Sequence, residues 1–132
     1  MNKSFTYCLL VTKPSYGTQK TTNALRFANA LIKVGHILKM VFFYQEGVYN
    51  GNQLILSTSD EFNLLLGWKT LAQQTGCQLN ICASASLRRG IIDETEAENY
   101  GLPCSNLDKS FMLSGLGSLS EAILLCDRTV QF

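Results

Sequence analysis

The residues best able to do chemistry in this 132-residue chain are five cysteines, Cys8, Cys77, Cys82, Cys104 and Cys126, and one histidine, His36. An odd number of cysteines cannot pair completely, and no C-x-x-C is present. With a single histidine the usual Cys/His zinc sets are also incomplete. Free thiols in a reducing cytoplasm are therefore expected, with no metal site. Cys82 stands apart from the rest. It closes the strand-like run Leu79-Asn80-Ile81 and is followed by Ala83-Ser84-Ala85-Ser86-Leu87-Arg88-Arg89-Gly90. Small, alanine-rich residues readily start a helix. A thiol at a helix N-terminus meets unpaired N–H donors and the positive end of the dipole, and Arg88 and Arg89 would help electrostatically. Such settings favour the thiolate, which is a nucleophile and can carry a second sulfur as a persulfide.

Free cysteine is also among the most buried residue types and often serves as a small apolar filler. That is the expected role of Cys8, inside the first apolar run, and of Cys126, at a helix-to-strand junction. Cys77 lies five residues before Cys82, so their side chains point to opposite faces of a strand. Cys104 follows Pro103 in a loop with no activating neighbour. For Cys82, composition and spacing leave filler and active thiol equally open. His36 follows Gly35 at a strand entrance, at the opposite edge from Cys82, which leaves a Cys-His hydrolase without its base.

Two weaker motifs complete the inventory. Ser114-Gly115-Leu116-Gly117-Ser118 resembles an anion-binding turn but lacks both the full G-x-G-x-x-G and the Lys-Ser/Thr of a P-loop, so a plain helix entry is expected over a nucleotide site. Asp93-Glu94-Thr95-Glu96-Ala97-Glu98 is expected to be a solvated helix start and not a metal site, with docking of a basic partner as the other reading.

The elements that must position these groups follow from apolar patterning. Tyr7–Thr12 is a short apolar run suited to a strand buried on both faces. A helix capped by Thr18 or Thr21 follows to about Val34, with Ala24, Phe27, Ala28 and Leu31 on one stripe and Gly35 as its stop. A second strand covers Ile37–Phe43, and Glu46–Asn52 is expected to be a polar loop. Thr58 and Glu61 form a capping box before a helix through Leu64, Leu65, Trp68, Leu71 and Ala72. Gln78–Cys82 is a third strand. Ser118 and Glu121 form a second capping box, and Arg128–Phe132 a last strand. Strands alternating with helices predict βαβ units with right-handed crossovers. The fold class is α/β: a single domain over 1–132 with a parallel sheet of about five strands and helices on both faces, flavodoxin-like in its units.

Length and composition agree. A chain of 132 residues buries roughly two thirds of its unfolded surface without a disulfide or metal staple. Charged residues make up only 16%, against about 25% in typical chains, which excludes disorder. Eleven Lys+Arg against ten Asp+Glu leave a net charge of +1, without the basic excess of a protein that grips nucleic acid. Phe5–Val11 lacks the length and cleavage site of a signal peptide, and no run reaches a membrane span. So little charge leaves a monomer poorly solvated and points to surface buried in an oligomer.

Several of these segments together resemble the DsrE/DsrF-like sulfur-relay proteins over nearly the whole chain. They are Gly35-His36, Val41-Phe42-Phe43-Tyr44, Glu46-Gly47-Val48-Tyr49-Asn50, Leu79-Asn80-Ile81-Cys82, Leu87-Arg88-Arg89-Gly90, Ser114-Gly115-Leu116-Gly117, Cys126-Asp127-Arg128 and Val130-Gln131-Phe132. The resemblance implies a sulfurtransferase subunit of the tRNA wobble-uridine 2-thiolation relay. In that relay, sulfur arrives as a cysteine persulfide from a TusA-like donor and leaves to a TusE-like acceptor. The family's persulfide cysteine falls on Cys82. TusB-like and TusC-like sister subunits, in a heterohexamer of two trimers, are implied as partners, and no cofactor or direct tRNA contact is. A relay thiol must be attacked by partner thiols, so Cys82 is expected to be accessible. The alternative within the same family is a non-catalytic scaffold subunit.

Overall fold

The computed structural model describes residues 3–132. Five strands form one all-parallel sheet: β1 Thr6–Val11, β2 Ile37–Phe43, β3 Gln78–Cys82, β4 Met112–Ser114 and β5 Arg128–Gln131, in the order β4-β3-β2-β1-β5. The helices are α1 Lys20–Lys33, α2 Leu64–Thr75, α3 Ala83–Arg88, α4 Glu94–Asn99 and α5 Leu116–Leu125. The chain steps from β1 through β4 in one direction and then returns across the sheet to β5 on the far side of β1. Right-handed crossovers therefore place α1 and α2 on one face and α5 on the other. The α/β class, the parallel sheet and the helices on both faces are as the sequence predicts. The three-residue β4 escapes a pattern-based reading because it is too short to show a period.

Apolar strands build the core. Leu9, Val11, Val41, Phe42, Phe43 and Ile81 are completely buried, each worth about 1.5–3 kcal/mol through loss of apolar surface to water. Trp68 of α2 stands edge-on to Phe43 at 5.2 Å, and Phe111 packs on the same ring at 5.3 Å. At the bulge between β1 and β2, Tyr7 pairs with Leu38 and Cys8 with Met40, so Lys39 is an extra residue in β2.

Several boundaries differ from expectation, each for a local reason. Thr21 does not cap α1. Its hydroxyl donates to the Lys13 and Pro14 carbonyls at 2.8 Å and pins the helix to the preceding turn, while Thr18 Oγ1 accepts from the Lys20 N–H. The Thr58/Glu61 box closes an exposed turn (Thr58 Oγ1 to Glu61 Oε1, 2.6 Å), and Asn63 caps α2 by accepting from the Leu66 N–H. Gly115 is the N-cap of α5, so Ser118 lies inside the helix. Asp93 caps α4, as a solvated acidic helix start would.

Gln45–Gly51 is no polar loop. It is a 3-10 segment with Gly47, Val48, Asn50 and Gly51 buried. Gly47 is required there, because a Cβ at that position would run into the Val11 carbonyl. Asn50 holds the segment together. Its Oδ1 accepts from the Trp68 Nε1–H at 3.2 Å, and its Nδ2 donates to the Gly47 and Lys13 carbonyls at 2.9 and 3.1 Å.

Candidate functional site

Cys82 is the last residue of β3 and the N-cap of α3, at the carboxyl end of the sheet where open parallel sheets carry their sites. Its backbone is still extended (φ −64°, ψ 121°) and its side chain makes no capping hydrogen bond. The alternation of β3 sends Leu79 and Ile81 toward one face and Gln78, Asn80 and Cys82 toward the other. Gln78 and Asn80 line a groove there with Ser118, Glu121 and Ala122 of α5, so Cys82 lies on the α5 face. Contrary to the expected accessibility, the residue is only 4% exposed. The short α3 folds directly over the strand end, and the small side chains Ala83, Ser84 and Ala85 let it sit close.

The two arginines do different things. Arg89 turns away to Glu46, donating from Nε at 3.2 Å and from Nη2 at 3.0 Å, and its Nη1 donates to the Ala85 carbonyl. It thereby ties the end of α3 to the 3-10 segment, a fastening role in place of the expected help to the thiol. Arg88 is exposed in the last turn of α3.

A groove of about 470 Å³ runs between α5 and the sheet, lined by Lys39, Asn80, Glu121, Leu125 and Cys126 among others. The extra residue of the β2 bulge, Lys39, opens onto it. Asn80 is 4% exposed, yet its Oδ1 has no hydrogen-bond partner. Ser86, one turn into α3 and completely buried, has an unpartnered Oγ. A buried polar group left unsatisfied costs about 1–3 kcal/mol. Nothing in the sequence marks Ser86, whereas Asn80 is a polar residue in an otherwise apolar strand, two positions from Cys82.

The other cysteines hold no comparable place. Cys8 is fully buried, and burial, then the nearness of Cys126, push its thiol up to about 11. Burial also raises Cys77, partly offset by the Thr75 hydroxyl, and raises Cys126, where Lys39 opposes it. Cys104 is exposed in its loop. His36 is structural, its Nδ1 accepting from the Phe5 N–H at 3.1 Å while its ring packs on Phe5 and Tyr7. Among the described residues no group of His, Cys, Asp and Glu is arranged to hold a metal, and no helix is long and apolar enough to cross a membrane.

The fold has a solved counterpart in the ychN protein from E. coli, whose crystal structure superposes with a TM-score of 0.72 over 98% of this chain and 100% of that one. At 17% identity, this is a likeness of fold alone. A much nearer relative in sequence is the sulfurtransferase TusD of Photorhabdus laumondii, 55% identical over 129 residues and 98% of both chains. The DsrE/DsrF-like family model matches residues 6–132. A match across the whole sheet, from β1 to the end of the chain, leaves one assignment: this chain is a sulfurtransferase and belongs to the DsrE/DsrF-like family.

Proposed function

We propose that the chain relays sulfur as a persulfide on Cys82, taking it from a TusA-like donor and giving it to a TusE-like acceptor for 2-thiouridine synthesis at the tRNA wobble position. The observation that carries this reading is Cys82 itself, alone among the five cysteines in closing a strand at the carboxyl end of the sheet and opening a helix. In the loading step the Cys82 thiolate attacks the outer sulfur of the donor persulfide. The donor's S–S bond breaks, its thiolate leaves, and Cys82 holds the outer sulfur. In delivery the acceptor thiolate attacks that outer sulfur and Cys82 departs as thiolate. Each step exchanges one S–S bond for another, so no external oxidant, metal or nucleotide is consumed.

The shielding of Cys82 gives the relay a requirement: α3 or the α5 groove must open as a partner docks. Sister subunits of TusB and TusC type, assembled as a heterohexamer in the cytoplasm, are the expected setting. The low charge of the chain and the exposed Leu124 and Leu125 of α5 support burial of surface in such an assembly. The near-zero net charge suits a protein that hands sulfur to proteins and leaves the tRNA to a later enzyme.

The test is to load the purified protein from a persulfidated donor and locate the added sulfur by peptide mass spectrometry. The sulfur is expected on Cys82, and Cys82→Ser is expected neither to hold nor to pass it. A Cys82→Ser protein that still carries and delivers sulfur would overturn the reading. The scaffold alternative draws on the burial of Cys82, and it would gain if the wild-type chain took up no sulfur at that residue.

A further inference from the structure

Among the described residues, only two buried side-chain polar atoms lack a hydrogen-bond partner, Asn80 Oδ1 and Ser86 Oγ. They lie two residues before Cys82 and four after it, at opposite ends of the same short stretch. Chance would scatter such orphans through the molecule. Native structures rarely tolerate them, and where they persist a missing partner is the first thing to seek.

Both groups stand on the elements that meet at Cys82. Asn80 shares a face of β3 with Cys82, at a Cα separation of about 6.6 Å for two strand residues, and its side chain lines the α5 groove. Ser86 stands one turn along α3, and helical side chains lean toward the N-terminus, which here is Cys82. The backbone carbonyl of Ser86 is already occupied by the N–H groups of Arg89 and Ile91, so only its hydroxyl is free.

We propose that Asn80 and Ser86 form the seat for the outer sulfur carried on Cys82, a proposal that rests on the persulfide reading above. A persulfide places its outer sulfur about 2 Å beyond Sγ, toward the side of β3 that Asn80 shares. A hydroxyl and an amide suit both protonation states of that sulfur. The Ser86 hydroxyl donates to the anion or accepts from the S–H of the neutral form, and Asn80 Oδ1 accepts from that S–H. The empty protein keeps the two groups unpaired, and loading supplies their partner. The outer sulfur is thereby held against casual loss to solvent thiols until an acceptor reaches it. Asn80 and Ser86 act on the bound sulfur and leave the attack itself to Cys82.

The experiment uses the intact chain and glutathione persulfide as the sulfur source, with wild type, Ser86→Ala, Asn80→Leu and Cys82→Ser compared. Intact mass follows sulfur uptake and its loss to a low concentration of dithiothreitol. Each protein is also melted empty and loaded, and the difference is taken within each protein so that the substitution's own effect on stability cancels. Wild type is expected to melt higher when loaded. Ser86→Ala and Asn80→Leu are each expected to lose sulfur about tenfold faster and to lose most of that loading gain, in line with one lost hydrogen bond. Empty Ser86→Ala is expected to melt no lower than empty wild type, because an unpartnered buried hydroxyl has been removed.

Unchanged sulfur retention and an unchanged loading gain in both variants would overturn the seat while leaving the relay intact. A lower melting point for empty Ser86→Ala with normal retention would also overturn it, by revealing a purely structural hydroxyl, such as one bonded to a buried water. Wild type that takes up no sulfur on Cys82 would overturn the relay and the seat together. Should Asn80→Leu fail to fold, Ser86→Ala decides the matter alone.

Discussion

The two faces of the sheet are finished differently. On the α1/α2 side, two long helices cover the strands and the interior is closed. Trp68, Phe43, Leu71 and Ala24 have essentially no exposed surface, and the one buried polar side chain that bridges α2 and the 3-10 segment, Asn50, has its bonds made to Trp68, Lys13 and Gly47. On the other side, the single helix α5 covers the sheet only in part. It buries Ala122, leaves Leu124 84% and Leu125 74% exposed, and borders a groove that ends in an unpartnered Asn80. The closed face holds the fold together, and on the half-open face Asn80 still lacks a partner. Cys82 belongs to the second. Chemistry that passes an atom between proteins needs a surface its own chain has not sealed.

Truncation on the closed face should have the largest effect. Trp68→Ala would empty a fully packed site and strip Asn50 Oδ1 of its donor, an expected loss of about 3–5 kcal/mol measured by urea denaturation. Loss of less than about 1 kcal/mol would mean that α2 is not sealed as described. Gly47→Ala should come next, at about 1–3 kcal/mol. The added methyl meets the Val11 carbonyl, which is strand backbone and cannot step aside as a flexible side chain would. Stability equal to wild type would show that the 3-10 segment can slide away from β1.

How legible each face is in the sequence follows the same division. The closed face is written in periodicity: Ala24, Ala28 and Leu31 mark α1, which lies where the pattern puts it, and Trp68 and Leu71 mark α2, which starts at Leu64 and not at the Thr58 box. Cys82 is legible too, because a thiol closing a strand-like run before small residues is unusual locally. What escapes is long-range pairing. Arg89 looks like a helper of the thiol until Glu46, 43 positions away, claims it. Glu46–Asn52 looks polar because the glycines and Asn50 that make its buried turns have no hydrophobic signature. Burial of Cys82 depends on how tightly α3 folds back over β3, which no residue pattern encodes.

Acid should test the seam between α2 and the segment that leads into β4. Burial would raise the Asp108 carboxyl, but the Ser110 N–H and the Lys69 ammonium together hold it below the usual carboxylate range. A lowered folded value stabilises the protein at every pH above the unfolded value, about 4, and that contribution is lost as pH falls through the folded value. Asp108→Asn should therefore cost about 1 kcal/mol at neutral pH, kept small by the partial exposure of Lys69, and nothing at pH 2. Denaturant titrations of the two proteins at both pH values check this. A gap that persists at pH 2 would mean that Asp108 works through packing and not through charge.

The smallest effect is expected on the half-open face, and it is the most informative for the comparison. Leu124→Ser and Leu125→Ser remove apolar side chains that the chain itself does not cover, so the isolated protein should change by no more than about 0.5 kcal/mol. The same residue type at Leu71, 1% exposed on the closed face, should cost about 2–5 kcal/mol on truncation to alanine. The contrast matters because leucine normally stabilises by leaving water. At Leu124 it has not left water, so its removal takes nothing from the folded state, and lower exposed apolar area should raise solubility instead. Equal losses at Leu124 and Leu71 would erase the distinction between the two faces and show that α5 packs on its own chain more closely than its exposure indicates.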